Sequence, residues 1–210
     1  MAHNTGPKNI FVVGAQCTGK TTLVKALQEH FSQPHDRSST LSFSQPPVTI
    51  HEVARKVLKK YKFTREDITT SPIRALQLQE RILEAQFEAE NAVSRGDWYI
   101  SDRSGIDPIV YASVFVGEEA AEKLFASAAW GKLEEKMKAG LVVLCEVGWD
   151  WLVDDGVRLI PKDLGDWAKV DAAFRNLLKA RGINYTVISQ DNPDIYERVA
   201  IVTDAHKYQH

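Results

Sequence analysis

Eight consecutive residues, Gly14-Ala15-Gln16-Cys17-Thr18-Gly19-Lys20-Thr21, set two glycines, a lysine and a hydroxyl at the spacing Gly-x-x-x-x-Gly-Lys-Thr. That spacing suits phosphate. The glycines let successive backbone N–H groups curl around a β-phosphate, Lys20 can reach β and γ oxygens, and the Thr21 hydroxyl can hold Mg²⁺. An apolar run, Ile10-Phe11-Val12-Val13, comes before the loop, and Thr22-Leu23-Val24-Lys25-Ala26-Leu27 comes after it. The loop therefore joins a strand to a helix, and the helix start adds its positive dipole end to the amides. Gly14, Ala15, Gln16, Cys17, Thr18, Gly19, Lys20, Thr21 and Thr22 form the expected nucleotide-binding segment.

Such a loop binds nucleotide but does not say what happens to it, so the other strand ends must decide. In open α/β sheets ligands sit at the carboxyl ends of the strands. After the second apolar run comes His51-Glu52-Val53-Ala54-Arg55, and after the third Ser101-Asp102-Arg103-Ser104. Asp102 is placed to orient the waters of a Mg²⁺, and Arg103 to meet a substrate hydroxyl or phosphate. The other reading of this turn is a helix cap with a surface ion pair. Glu52 can either hold an acceptor hydroxyl in line with a γ-phosphate and take its proton late, or serve as a first-turn glutamate of the next helix. Arg55, one turn on, can clamp a substrate or pair with Glu52. His51 is assigned no role.

Directly after the fourth run comes Trp149-Asp150-Trp151-Leu152-Val153-Asp154-Asp155-Gly156-Val157-Arg158. A segment at this place can close over phosphates, exclude water and bring a positive charge to the transferring group. Arg158 is the candidate charge. Asp154 and Asp155 would fix the turn that aims it, with Gly156 supplying the backbone freedom. Trp149 and Trp151 read as core aromatics.

Positioning these groups requires apolar runs at residues 10–13, 48–50, 98–100, 141–145 and 185–188 alternating with segments of helical period. This is the pattern of an α/β protein with a parallel sheet covered on both faces. The clearest helix begins at Ser71-Pro72 and carries Ala75, Leu78, Ile82, Ala85, Ala89 and Ala92 at a 3-4-3-4-3 spacing, ending near Gly96. Ser71 suits the cap and Pro72 the first turn. Residues 1–8 read as a flexible N-terminus, 32–47 as a mobile surface loop and 149–167 as a lid region, within one domain spanning 1–210.

Composition agrees. The 210 residues are 44% hydrophobic and 26% charged, enough for one domain with a full core. A net charge of −2 gives no reason to expect a nucleic-acid or anionic-membrane partner. Cys17 and Cys145 are the two cysteines and have no metal-ligand spacing. A reducing, cytoplasmic setting is expected, and no run approaches the ~18 apolar residues of a membrane span.

Taken in order, these stretches resemble the ribosylnicotinamide kinase domain of the NadR type, a branch of the nucleoside and nucleotide kinase-like P-loop proteins and, in the broad sense, of the AAA-type ATPase domains. The resemblance runs nearly the whole chain. It rests on residues 14–22, on Glu52-Val53-Ala54-Arg55 (Glu-Tyr-x-Arg in that family), on Gln79 in the long helix, on Asp102, on residues 152–158 and on Ile183-Asn184-Tyr185. Where the family has tryptophan before Val-Asp-Asp-Gly this chain has Leu152, and Asp102-Arg103-Ser104 is more like the turn of deoxynucleoside and thymidylate kinases.

The resemblance implies ATP on residues 14–22, Mg²⁺ near Thr21 and Asp102, a nucleoside near Glu52, Arg55 and Gln79, and a lid bearing Arg158. The expectation is a three-layer P-loop fold with a five-stranded parallel sheet of order 2-3-1-4-5 and a lid segment after the fourth strand. Its activity would be Mg²⁺- and ATP-dependent transfer of the γ-phosphate to a nucleoside-like hydroxyl, nicotinamide riboside among the candidates. Lys20, Glu52, Asp102 and Arg158 would be catalytic, and Glu52, Arg55, Gln79 and Arg103 would bind the acceptor. Two alternatives stay open: a nucleoside-monophosphate or polynucleotide 5′-hydroxyl kinase, and a non-catalytic ATP- or GTP-binding switch.

Overall fold

A strand buried on both faces reads as a near-continuous apolar run, as the central runs 10–13 and 141–145 do, and the five runs of this chain pair side by side. The structure is a computed structural model and describes residues 7–33, 45–148 and 164–207. Its strands are β1 (Ile10–Val13), β2 (Val48–Ile50), β3 (Tyr99–Asp102), β4 (Leu141–Cys145) and β5 (Tyr185–Ile188). They form a five-stranded sheet of order β2-β3-β1-β4-β5, as expected. Every pairing is parallel, with Val12 opposite Asp102 on one side and opposite Val143 on the other. All the carboxyl ends therefore face one edge.

The helices are α1 (Lys20–Ser32), α2 (Val53–Tyr61), α3 (Arg65–Thr70), α4 (Pro72–Asn91), α5 (Ile106–Phe115), α6 (Glu118–Phe125), α7 (Ala128–Ala139), α8 (Leu164–Ala180) and α9 (Ile195–Lys207). Successive strand residues point to opposite faces, so β1 divides its side chains between two layers. Ile10 and Val12 pack with Leu23 and Leu27 of α1 and Val202 of α9. Phe11 and Val13 belong to a second core with Ile109 of α5, Leu133 of α7 and Phe174 of α8. All four β1 side chains are fully buried, and each contributes about 1.5–3 kcal/mol through burial. A smaller cluster, Val53, Val57, Leu78 and Ile82, fastens α2 to α4.

Ser71 caps α4 by accepting from the Arg74 N–H, and Pro72 occupies the first turn. The helix stops at Asn91 rather than near Gly96: the Asp97 N–H turns back to Ser94 O at 3.2 Å, and Gly96 takes φ +98° in that turn. β3 runs past its apolar stretch, because Ser101 and Asp102 continue the ladder opposite Phe11 and Val12. At the far end of the sheet, His206 Nε2 of α9 lies 2.8 Å from Lys8 O, and its ring stacks on Trp98 with centroids 5.4 Å apart.

Several expectations lie outside the described residues: residues 1–6 of the N-terminal stretch, residues 34–44 of the predicted loop, and residues 149–163 of the predicted lid, including Trp149, Trp151, Asp154, Asp155, Gly156 and Arg158. Residues 164–167, assigned to the same lid from sequence, are the first turn of α8, and Trp167 is buried in the core. Among the described residues no helix is long and apolar enough to cross a membrane.

Candidate active site

The loop from β1 to α1 has a conformation that its glycines permit. Gly14 has φ +135°, and a Cβ there would stand 2.6 Å from the Cys145 carbonyl oxygen, so only glycine lets the loop pass over the end of β4. Gly19 has φ +79° and begins α1 without a side-chain cap. The first-turn amides of α1 are thus left for an anion. Cys17 takes φ +59°, a left-handed conformation uncommon for a side-chain-bearing residue.

Lys20 is buried and folds back on its own loop, its Nζ donating to Ala15 O and, at 3.2 Å, to Thr18 Oγ1. Burial, with the nearby Arg103 charge, lowers its pKa to about 8. Beside it, Thr21 Oγ1 donates to Asp102 Oδ2 at 2.6 Å. A hydroxyl and a carboxylate so close suit Mg²⁺, which keeps several waters and takes its remaining ligands from phosphates. Among the described residues no cluster of three His, Cys, Asp or Glu side chains offers an all-protein metal cage.

Glu52 stands at the N-cap of α2 but does not cap it with its side chain. Instead its carboxylate accepts from Arg103 Nε at 2.7 Å through Oε1 and from Arg55 Nε at 3.0 Å through Oε2. Burial alone would raise its pKa. The Arg103 charge and the two arginine hydrogen bonds outweigh that and hold it down at about 2.

Arg103 is buried, not on the surface, and sits at φ +81° with its N–H on Val12 O at 2.9 Å. Its Nη1 donates to Asp107 Oδ1 at 3.0 Å, while Asp107 Oδ2 accepts the Ser104 N–H at 2.9 Å. Despite its own burial, the flanking Glu52 keeps the Arg103 pKa well above the ordinary arginine value. Burial pushes Asp107 up to about 6, against the pull of Arg103 and Lys20.

Two recesses meet here. One is lined by residues 17–22 of the loop together with Asp102, Glu52 and Arg103. The other is a cleft of about 650 Å³, open to solvent, between α2, α4 and α5. Its apolar walls include Leu58, Ile68, Leu78 and Ile82, and its polar groups include Arg55, Gln79, Asp107 and Tyr111. Glu52 and Arg103 belong to both.

All the sequence-predicted site residues among the described residues lie in these two recesses or in the loop that forms them; Arg158 lies outside the described residues. Arg55 and Gln79, separated in sequence, face one cleft. Asp107 and Tyr111 were not predicted. The signal was present in part: Asp107 and Tyr111 stand four apart, the spacing of one helix face, and Arg103 lies in the turn just before that helix. Gln16 was predicted only as a loop member, yet it also lines the cleft.

A parallel sheet of this order, a strand-loop-helix phosphate cradle and a cleft beside it define a nucleoside kinase-like P-loop α/β fold. The chain belongs to the AAA domain family, whose model matches residues 9–198. No curated protein matches it.

Solved structures place the fold more narrowly. NadR protein in complex with NR is similar over 94% of this chain with a TM-score of 0.66 at 18% identity, and the chain spans about half, 51%, of that protein. Deoxyadenosine kinase from M. mycoides, with dCMP and dCDP bound, is similar over 96% of this chain and 100% of its own, with a TM-score of 0.66 at 11% identity. Shikimate kinase from Acinetobacter baumannii in complex with shikimate is similar over 96% and 93%, with a TM-score of 0.53 at 14% identity.

Proposed function

We propose that this protein is a Mg²⁺-dependent phosphotransferase that moves the γ-phosphoryl group of ATP to a hydroxyl of a small nucleoside-like acceptor. The observation that carries the reading is the shared wall: Glu52 and Arg103 line both the phosphate recess and the cleft. A molecule in the cleft with a hydroxyl near Glu52 would face the terminal phosphate of a nucleotide held by residues 14–22. Approximate in-line placement of two bound reactants is the main thing such a catalyst supplies.

In this scheme Lys20 and the loop amides bind the phosphates, and Lys20 offsets negative charge on the transferring group. Thr21 and Asp102 would hold Mg²⁺, which when bound neutralises charge on the phosphate oxygens. Glu52 accepts the hydrogen bond of the acceptor hydroxyl and orients its oxygen. With a pKa of about 2 it is ionised throughout the physiological range and is a weak base. That suits a loose transition state, in which the hydroxyl keeps its proton until bond formation is advanced. The bond between the γ-phosphorus and its bridging oxygen breaks as the new P–O bond forms, the proton passes to Glu52 and then to solvent, and ADP leaves. Arg103 holds Glu52 in place, Arg55 and Gln79 contact the acceptor, and Arg158 is the proposed lid charge.

Nicotinamide riboside is the first acceptor to try, since the sequence resemblance and a solved NadR complex with NR both point to it. The deoxyadenosine kinase likeness keeps the common nucleosides in the panel. The test is incubation with ATP, Mg²⁺ and nicotinamide riboside, common nucleosides, their monophosphates or a 5′-hydroxyl oligonucleotide, with products identified by mass. A product that disappears in Lys20→Ala names the acceptor. Nucleotide binding with no product from any acceptor would refute the transferase.

A further inference from the structure

The phosphate loop is held by more than its own strand and helix. Gln16, 2% exposed, is gripped at its backbone N–H, its carbonyl and its side-chain Oε1 from elements outside the strand-loop-helix unit. Its backbone N–H donates to the Tyr111 hydroxyl oxygen at 3.1 Å, and that hydroxyl donates in turn to Gln16 Oε1. Its carbonyl accepts from Trp167 Nε1 at 2.9 Å.

Tyr111 stands on α5 and its ring lines the cleft, 5.8 Å from the Arg103 guanidinium. Trp167 stands on the first turns of α8. A loop amide that points to a tyrosine oxygen does not point to phosphate. The remaining recess is lined from Cys17 onward, while Gln16 lies on the cleft side.

We propose that Tyr111 is a positioning residue that presets the cleft-side half of the phosphate loop through Gln16, so that the γ end of a bound triphosphate, and not the β end, depends on the tyrosine hydroxyl. The inference rests on the nucleotide-binding reading above. The β-phosphate is addressed by the amides of residues 17–22, whereas the Tyr111 hydroxyl exchanges its hydrogen bonds with Gln16. The γ-phosphate must lie toward the cleft, where Gln16, Glu52 and Arg103 converge. Tyr111 is a wall of the cleft and a clasp on the loop at once, so a molecule packed against its ring acts on the loop that holds the donor. Such a link is reciprocal: whatever bound nucleotide does to the clasp, the cleft feels equally.

Binding of a non-hydrolysable ATP analogue and of ADP, each with Mg²⁺, to wild type and Tyr111→Phe by isothermal titration calorimetry tests this. The ring is kept and the hydroxyl lost. The analogue should bind about three- to tenfold more weakly, the effect of deleting one or two hydrogen bonds, while ADP affinity stays within about twofold. A merely structural tyrosine would weaken both ligands alike. Gln16→Ala, which removes the acceptor end of the clasp and leaves the ring untouched, should reproduce the selective loss and covers the case in which Tyr111→Phe does not fold. Equal losses for the two ligands, or none, in a variant that melts like wild type would overturn the inference and leave the transferase reading standing. Failure of wild type itself to bind either nucleotide would refute both.

Discussion

Glu52 and Arg103 lie fifty-one residues apart and meet at 2.7 Å, carboxylate oxygen to guanidinium Nε, on the wall that the phosphate recess and the cleft share. The pair is nearly buried, with side-chain exposures of 12% and 11%. Removing either charge therefore leaves the other poorly solvated. Glu52→Gln keeps the shape and loses the charge. It should lower turnover by about a hundredfold or more, in the range of general-base deletions, and leave affinity for an ATP analogue nearly unchanged. Steady-state rates beside calorimetric binding would check this, and unchanged turnover would remove Glu52 from the mechanism. Arg103→Lys should not restore the rate, because an ammonium cannot reach Glu52 and Asp107 with the fixed fork of a guanidinium.

Lys20 gives a pH dependence whose sign is fixed. Its pKa in the free protein is about 8, below the usual lysine value because burial disfavours the charged form. Phosphate oxygens favour the protonated form, so binding must raise that pKa. Nucleotide affinity should be full well below pH 8 and should fall as pH rises through it, with proton uptake on binding near that value. Titration calorimetry in buffers of different ionisation enthalpy measures the uptake directly. Lys20→Ala should show none.

Asp107 predicts the acid limb. Burial raises its carboxyl to about 6, so its ionised partnership with Arg103 is present above that value and lost as pH falls through it. Turnover should decline across the same window as Arg103 loosens from the wall. In Asp107→Asn the plateau should be lower and the inflection near 6 absent; an inflection that survives would assign the limb to another group.

The 2.6 Å contact between Thr21 and Asp102 predicts where metal dependence resides. Asp102→Asn should raise the Mg²⁺ concentration for half-maximal rate by about tenfold or more, the scale on which supporting groups tune metal affinity, while the melting temperature stays near wild type. A titration of rate against Mg²⁺ is sufficient. An unchanged Mg²⁺ curve would place the ion elsewhere.

Much of this was legible in the sequence because the signals are local. Five largely apolar runs announced parallel strands, fully buried in the central β1, β3 and β4 and partly exposed in the edge strands β2 and β5, and the glycine spacing located the loop to the residue. The end of β3 was not legible: Ser101 and Asp102 look like the start of a turn, and only the ladder opposite Phe11 and Val12 draws them into the sheet. Glu52 is more instructive. Sequence left it between first-turn glutamate and acceptor contact; its side chain makes no cap and is held instead by Arg103, a partner brought near by the pairing of β2 with β3. Gln16 and Tyr111, ninety-five residues apart, could not have been joined by any local rule. Only the packing of α5 against the second face of β1 brings them together.

The contact between His206 and Lys8 O has a mechanical and topological consequence. Residues nearly two hundred apart in sequence are fastened side by side at the end of the sheet away from the loop of residues 14–21, so a short linker between them would have little distance to cross. A circularly permuted chain, opened at the exposed bend around Arg95 and Gly96 and closed by such a linker, should fold and keep its nucleotide site. Pulling on residues 8 and 206 should first part α9 from α1 and from β4 and β5, leaving the five strands in register.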